Sequence, residues 1–171
     1  MSKPPANRLD AVRLAADGAS LERRFSLAGF PRLADSLVAS RGDATVQLSF
    51  LELADGIAGC DFAVEATLPL RCQRCLQAVE LPVRSEGRLA FVASEADAAR
   101  VPEGAEPVTV DPRAVELHAL VEDELLLSLP LVPRHEDDTC GAAADAGAPP
   151  EDDDARATTR PFAGLKDLLK H

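Results

Sequence analysis

At 171 residues the chain has the usual size of one domain with room for a tail. Apolar residues make up 46% but aromatics only 4%, with no Trp and no Tyr, so a core must be built mainly from Leu, Val and Ala. A net charge of -11 weighs against simple coating of nucleic acid, which needs clustered cations, and no apolar run reaches membrane-spanning length.

The opening MSKPPANRLD lacks the apolar segment of a secretory signal, so the expectation is a cytoplasmic protein with reduced thiols. Its four cysteines are then ligands or core residues rather than a disulfide framework. RLDAVRLAA reads as a strand candidate. Leu33, Leu37 and Val38 follow Pro31 with helical spacing and predict a short helix near Pro31 to Ala39. Arg23 and Arg24 read as a solvated face. TVQLSFLEL alternates, with Val46, Leu48 and Phe50 on one face, and a D-G turn signal breaks it. The next run sets Cys60, Phe62, Val64, Ala66, Leu68 and Leu70 on one parity and leads into C-Q-R-C. Beyond it Val79, Leu81 and Val83 alternate again, followed by Leu89, Phe91 and Val92. The pattern predicts three or four antiparallel strands with the cysteines at one hairpin tip. SEADAARVPEGAE reads as a polar loop and PVTVD as a short strand.

Asp111 suits an N-cap and Pro112 a first helical position, predicting one main helix over 112–129 with a broad stripe of Val115, Leu117, Leu120, Val121, Leu125 and Leu127. Pro130 ends it. Glu122, Asp123 and Glu124 occupy enough of the circumference that at least one should lie near the helix–sheet boundary. Residues 135–159 are rich in Ala, Gly, Pro and Asp and read as a disordered acidic tether. The closing RPFAGLKDLLKH would place Phe162, Leu165, Leu168 and Leu169 on one face of a short helix.

Cys72 and Cys75 are spaced for a metal or a redox pair. A redox pair needs a helix beginning at the first cysteine, and strand-like alternation follows instead. Zinc suits two thiolates on a hairpin knuckle, with His135 and Cys140 as chemically suitable partners. An empty knuckle of reduced thiols remains an equal alternative. Cys60 has core parity and reads as a small buried hydrophobe. No phosphate-binding loop, G-x-S-x-G or H-E-x-x-H occurs, and the chain reads as a non-enzyme without a small-molecule substrate.

The order LRCQRCLQAVELPV, VELHALVEDELLLSLPLVPRHEDDTC, a low-complexity tether and RPFAGLKDLLK resembles the YceD family of bacterial large ribosomal RNA subunit accumulation proteins. The matching positions are Cys72, Cys75, Glu122, Asp123, Glu124, Pro130, Pro133, His135, Cys140, Pro161 and Phe162. The resemblance implies a non-enzymatic factor in the synthesis, processing or stability of large-subunit (23S) ribosomal RNA.

The expected architecture is α+β: an antiparallel sheet or partly open barrel with one main packed helix. A domain over 1–134, an acidic linker over 135–159 and a docking segment over 160–171 complete it. Arg71, Arg74, Arg84 and Arg88 would meet a ribosomal RNA precursor. Glu122, Asp123, Glu124 and Phe162 would meet a ribosomal protein or processing factor. Cys72, Cys75, His135 and Cys140 would hold one structural zinc. The alternative is a zinc-stabilised protein-interaction module with no RNA contact.

Overall fold

The computed structural model describes residues 8–136 and Cys140. Its frame is a five-stranded sheet in the order β2-β3-β4-β5-β6. These strands are β2 (Ser20–Ser26), β3 (Asp43–Glu52), β4 (Ala58–Arg71), β5 (Ala78–Val92) and β6 (Glu106–Thr109). β2 to β5 are antiparallel neighbours, and β6 runs parallel to β5. The α+β class holds, with an open, mixed sheet rather than a closed barrel.

Period-two patterning explains the long strands. Val46, Leu48 and Phe50 of β3 are buried, as are Cys60, Phe62, Val64, Ala66, Leu68 and Leu70 of β4. The pairs Val46–Val64, Leu48–Phe62 and Phe50–Cys60 lie directly opposite one another, so both apolar faces meet on one side of the sheet. The D-G signal is borne out by positive φ at Asp55 and Gly56, at 59° and 72°.

Helices cover the apolar face. α1 (Ala11–Ala16) packs on β3 and β4, while α4 (Leu117–Leu127) packs on β4 and β5. Leu117, Val121 and Leu125, at i, i+4 and i+8, form the buried face of α4. A turn of helix, α2 (Pro31–Ala34), rests against α4, and α3 (Glu95–Ala98) lies in the loop before β6.

Several local expectations are corrected. RLDAVRLAA does not form one strand: β1 is only Arg8–Leu9, and α1 follows, because the Asp10 carboxylate caps it by accepting from Arg13 N at 3.0 Å. The alternating SLERRFS forms strand β2, and the helix after Pro31 ends at Ala34. The polar loop contains α3, capped by Ser94. The main helix begins at Leu117 rather than Pro112. Asp111 instead closes a turn, accepting from Arg113 N at its side chain and from Ala114 N at its carbonyl. Val115–Glu116 is then extended as β7 and pairs with β1, which withholds both residues from the helix.

Candidate metal centre

The β4–β5 hairpin carries the first half of the site. Cys72 N donates to Gln77 O at 2.9 Å and Leu76 N to Cys72 O at 2.9 Å, folding the tip into a tight knuckle. Leu76 pays for that closure with φ of 61°, in the left-handed region that a bulky side chain disfavours, and it is 62% exposed. The second half arrives after α4. Gln73 N donates to Pro133 O at 2.8 Å, which lays the His135 segment along the knuckle.

Cys72, Cys75, His135 and Cys140 converge, each offering a ligand atom within 4.8 Å of all the others. Cys72 Sγ lies 3.7 Å from Cys140 Sγ, and Cys75 Sγ lies 3.6 Å from His135 Nδ1. A disulfide would need sulfurs about 2.05 Å apart. A tetrahedral zinc with bonds of about 2.3 Å to sulfur and about 2.05 Å to nitrogen sets S–S separations near 3.8 Å and S–N separations near 3.6 Å. The donor set and its spacing therefore fit one tetrahedral ion.

Outer contacts organise the same atoms. His135 Nε2 lies 3.1 Å from Ala78 O. A proton on Nε2 would donate there and leave Nδ1 free as a ligand. Arg74 Nε donates to Cys140 Sγ at 3.1 Å and its terminal nitrogen to His135 O at 3.3 Å. The Cys72 thiol is pulled down to about 5, chiefly by the Cys75 backbone N–H, with the Arg74 and His135 N–H groups adding, while burial opposes. For Cys75 the Gln77 N–H pulls downward, but burial and the Cys72 and Cys140 sulfurs prevail and raise it. Cys60 stays apart in the core, pushed up to about 12 by burial, as its strand parity implied.

The four arginines do not form one open patch. Arg74 turns to the thiols. Arg84 bonds Glu65 and Glu86, and Arg88 forks onto both oxygens of Asp61. Arg71 is exposed at the end of β4 and has no ion-pair partner among the described residues.

The acid run divides as well. Glu122 is 4% exposed and accepts from Arg32 N at 2.7 Å, Leu33 N at 3.2 Å and Arg32 Nε at 2.9 Å. Burial pushes its carboxyl up, yet the Leu33 and Arg32 donors prevail and hold it below the ordinary range. Asp123 takes the other arm of Arg32, and Glu124 accepts from Ser85 Oγ. Phe162 lies outside the described residues.

Sequence reasoning missed Arg32, whose partners are ninety positions away, and Leu76, whose role is conformational. The only sequence signal for Arg32 was Pro31 starting a short helix.

A family model described as large ribosomal RNA subunit accumulation protein YceD matches residues 60–169, a span holding all four potential ligands. The chain belongs to the YceD family. A YceD relative from Haemophilus influenzae, named large ribosomal RNA subunit accumulation protein, is 32% identical over 157 residues, covering 86% of this chain and 89% of its own. No solved structure matches the chain.

Proposed function

We propose that this protein is a non-enzymatic cytoplasmic factor in large-subunit ribosome biogenesis, needed for the synthesis, processing or stability of 23S ribosomal RNA. The observation that carries the reading is family membership over most of the chain, with a relative named for large ribosomal RNA subunit accumulation. The Cys72, Cys75, His135 and Cys140 cluster supports one structural zinc, which would clamp the segment after α4 onto the β4–β5 hairpin. Four protein ligands would close the coordination sphere and leave no open position for substrate. The zinc therefore supplies rigidity in this reading.

Direct RNA contact would run through Arg71, with Arg84 and Arg88 exchanging exposed carboxylate partners for phosphate. Arg74 would support it indirectly by holding the metal knuckle. The second reading is a zinc-stabilised protein-interaction module, favoured by the prior engagement of Arg84 and Arg88 with acids of the same sheet. The partner is then a ribosomal protein or processing factor, with Asp123, Glu124 and Phe162 as candidate contacts.

The test is the ratio of 23S to 16S ribosomal RNA in cells lacking the protein. A fall restored by the wild-type chain supports the reading, and an unchanged ratio overturns it. Binding of the purified chain to large-subunit RNA transcripts separates the two forms.

A further inference from the structure

The three thiols of the cluster differ in access and in what faces them. Cys72 is fully buried, while Cys75 and Cys140 are half-buried. Cys75 Sγ faces His135 Nδ1 at 3.6 Å. Cys140 Sγ faces Cys72 Sγ at 3.7 Å and accepts from Arg74 Nε at 3.1 Å. A cation beside a sulfur stabilises the hydroxide that departs when a peroxide is attacked there. Cys140 is therefore the sulfur that combines access with a guanidinium, and Cys72 lies directly behind it. Cys60 is excluded from this chemistry, because it is buried in the core with its thiol on Asp61 O.

Cys72 and Cys140 are 68 positions apart in the chain, yet their sulfurs need approach by only about 1.7 Å to reach bonding distance. The backbone holds Cys72 and leaves the approach to Cys140. Both backbone groups of Cys72 are engaged in closing the knuckle, with Gln77 O and Leu76 N. The incoming segment is pinned upstream of Cys140, by Gln73 N on Pro133 O and by His135 Nε2 at Ala78 O. A Cys72–Cys75 bond would instead have to form across the turn that Cys72 itself closes.

We propose that Cys140 is a modification site for hydroperoxides and that Cys72 resolves it as a Cys72–Cys140 disulfide, exchanging the metal clamp for a covalent one. The Cys140 thiolate attacks one peroxide oxygen, so a S–O bond forms, the O–O bond breaks and hydroxide leaves. Sulfur loses two electrons and the peroxide gains them. The Cys72 thiolate then attacks the Cys140 sulfenic sulfur, forming the S–S bond and expelling the second hydroxide. Two protons from water complete the balance, so two thiolates and hydrogen peroxide give a disulfide and two waters. The donor set falls from three thiolates and an imidazole to Cys75 and His135, which is too few to close a tetrahedral zinc site. The segment after α4 stays tied to the β4–β5 hairpin throughout. The metal loss rests on the zinc reading, whereas the disulfide rests on the placement of the thiols alone, and neither needs contact with RNA.

The test treats the full, zinc-loaded chain with hydrogen peroxide, quenches it early with a thiol-blocking reagent and maps its tryptic peptides without reduction. Cleavage after Arg71, Arg74, Arg84, Arg134 and Arg156 places Cys72, Cys75 and Cys140 in three different peptides, so each cross-link has its own mass. The Cys72–Cys140 pair should be the main product, within a single chain that has lost two hydrogens. A metallochromic dye should register one zinc released per disulfide, and dithiothreitol should restore zinc binding. The urea-unfolded, zinc-free chain is the control, because loop closure there favours the near neighbours Cys72 and Cys75. A Cys72–Cys140 share no higher in the folded chain than in urea would overturn the proposal, and this comparison needs no variant. So would a main Cys72–Cys75 product, or sulfinic acid at Cys140 without a cross-link. Folded Cys75→Ser, which leaves no third thiol in the cluster to reshuffle the bond, should keep the cross-link, and its loss there would also overturn the pairing. A disulfide formed in a chain that carried no zinc would support the thiol pair and overturn the metal exchange.

Discussion

Glu122 shows how one side chain joins two distant segments. Its carboxylate satisfies the Arg32 and Leu33 N–H groups, which belong to the first turn of α2, and so fastens α2 to α4. Glu122→Ala should cost about 2 kcal/mol in urea unfolding, because two donors lose their acceptor. Glu122→Gln should cost less, since an oxygen remains. The folded pKa is lowered from 4.5, so this stabilisation is fully present above the unfolded value. It should be lost as pH falls below 4.5 through the lower folded value. A wild-type minus Glu122→Gln stability difference that grew on acidification would contradict this assignment. Cys72→Ser makes a separate prediction about the metal. The purified variant should lose zinc by elemental analysis, melt about 10 °C lower and show no further loss with chelator. A wild-type chain free of metal after purification under reducing conditions would rule out the structural zinc.

Elements were legible where one periodicity dominated. The burial of Val46, Leu48 and Phe50 followed from strict alternation, as did the Cys60–Leu70 face, because one side of a half-buried sheet must be apolar. The hairpin tip was legible from the cysteines between two such runs. The start of α4 was not. Asp111-Pro112 carries the local chemistry of a helix start, and the pairing of Val115 with Leu9 overrides it. That partner lies more than a hundred positions upstream, where no local pattern can signal it. The donor types of the metal cluster were readable, whereas the turning of Arg74 toward Cys140 depended on how the post-helix segment folds back. α1 was missed because a six-residue helix has too little period to outweigh an apparent alternation. Its cap now makes a prediction: Asp10→Ala should cost about 1 kcal/mol by removing the acceptor for Arg13 N. Asp10→Ser should recover most of that loss. In α4, Leu125→Ala should cost about 2–5 kcal/mol because the side chain lies at the buried helix–sheet contact.

At the scale of the whole molecule, net charge and local surface pull in opposite directions. A chain at -11 is repelled by RNA at long range, so RNA contact must be short-range and confined to a cationic face. Arg71 lies at the end of β4, while Arg84 and Arg88 share the outward parity of β5. The latter two already have acidic partners on the exposed sheet face, and phosphate would have to replace them. Three phosphate contacts would give a slope of about -2 to -3 for log K against log salt. Replacing Arg71 and Arg88 by Gln should reduce co-sedimentation with large-subunit precursors and flatten that slope, while zinc content stays at wild type and the melting temperature falls by no more than a few degrees from loss of the exposed Arg88–Asp61 pair. Arg74→Glu should fail differently, because Arg74 donates to Cys140 Sγ. It should lower metal retention together with any RNA binding. Undiminished co-sedimentation of the folded Arg71/Arg88 double variant would exclude these arginines as the recruiting contacts. Salt titration would then test the protein-mediated reading. A slope near zero, with binding dependent on a purified basic partner, would assign recruitment to the acidic surfaces instead.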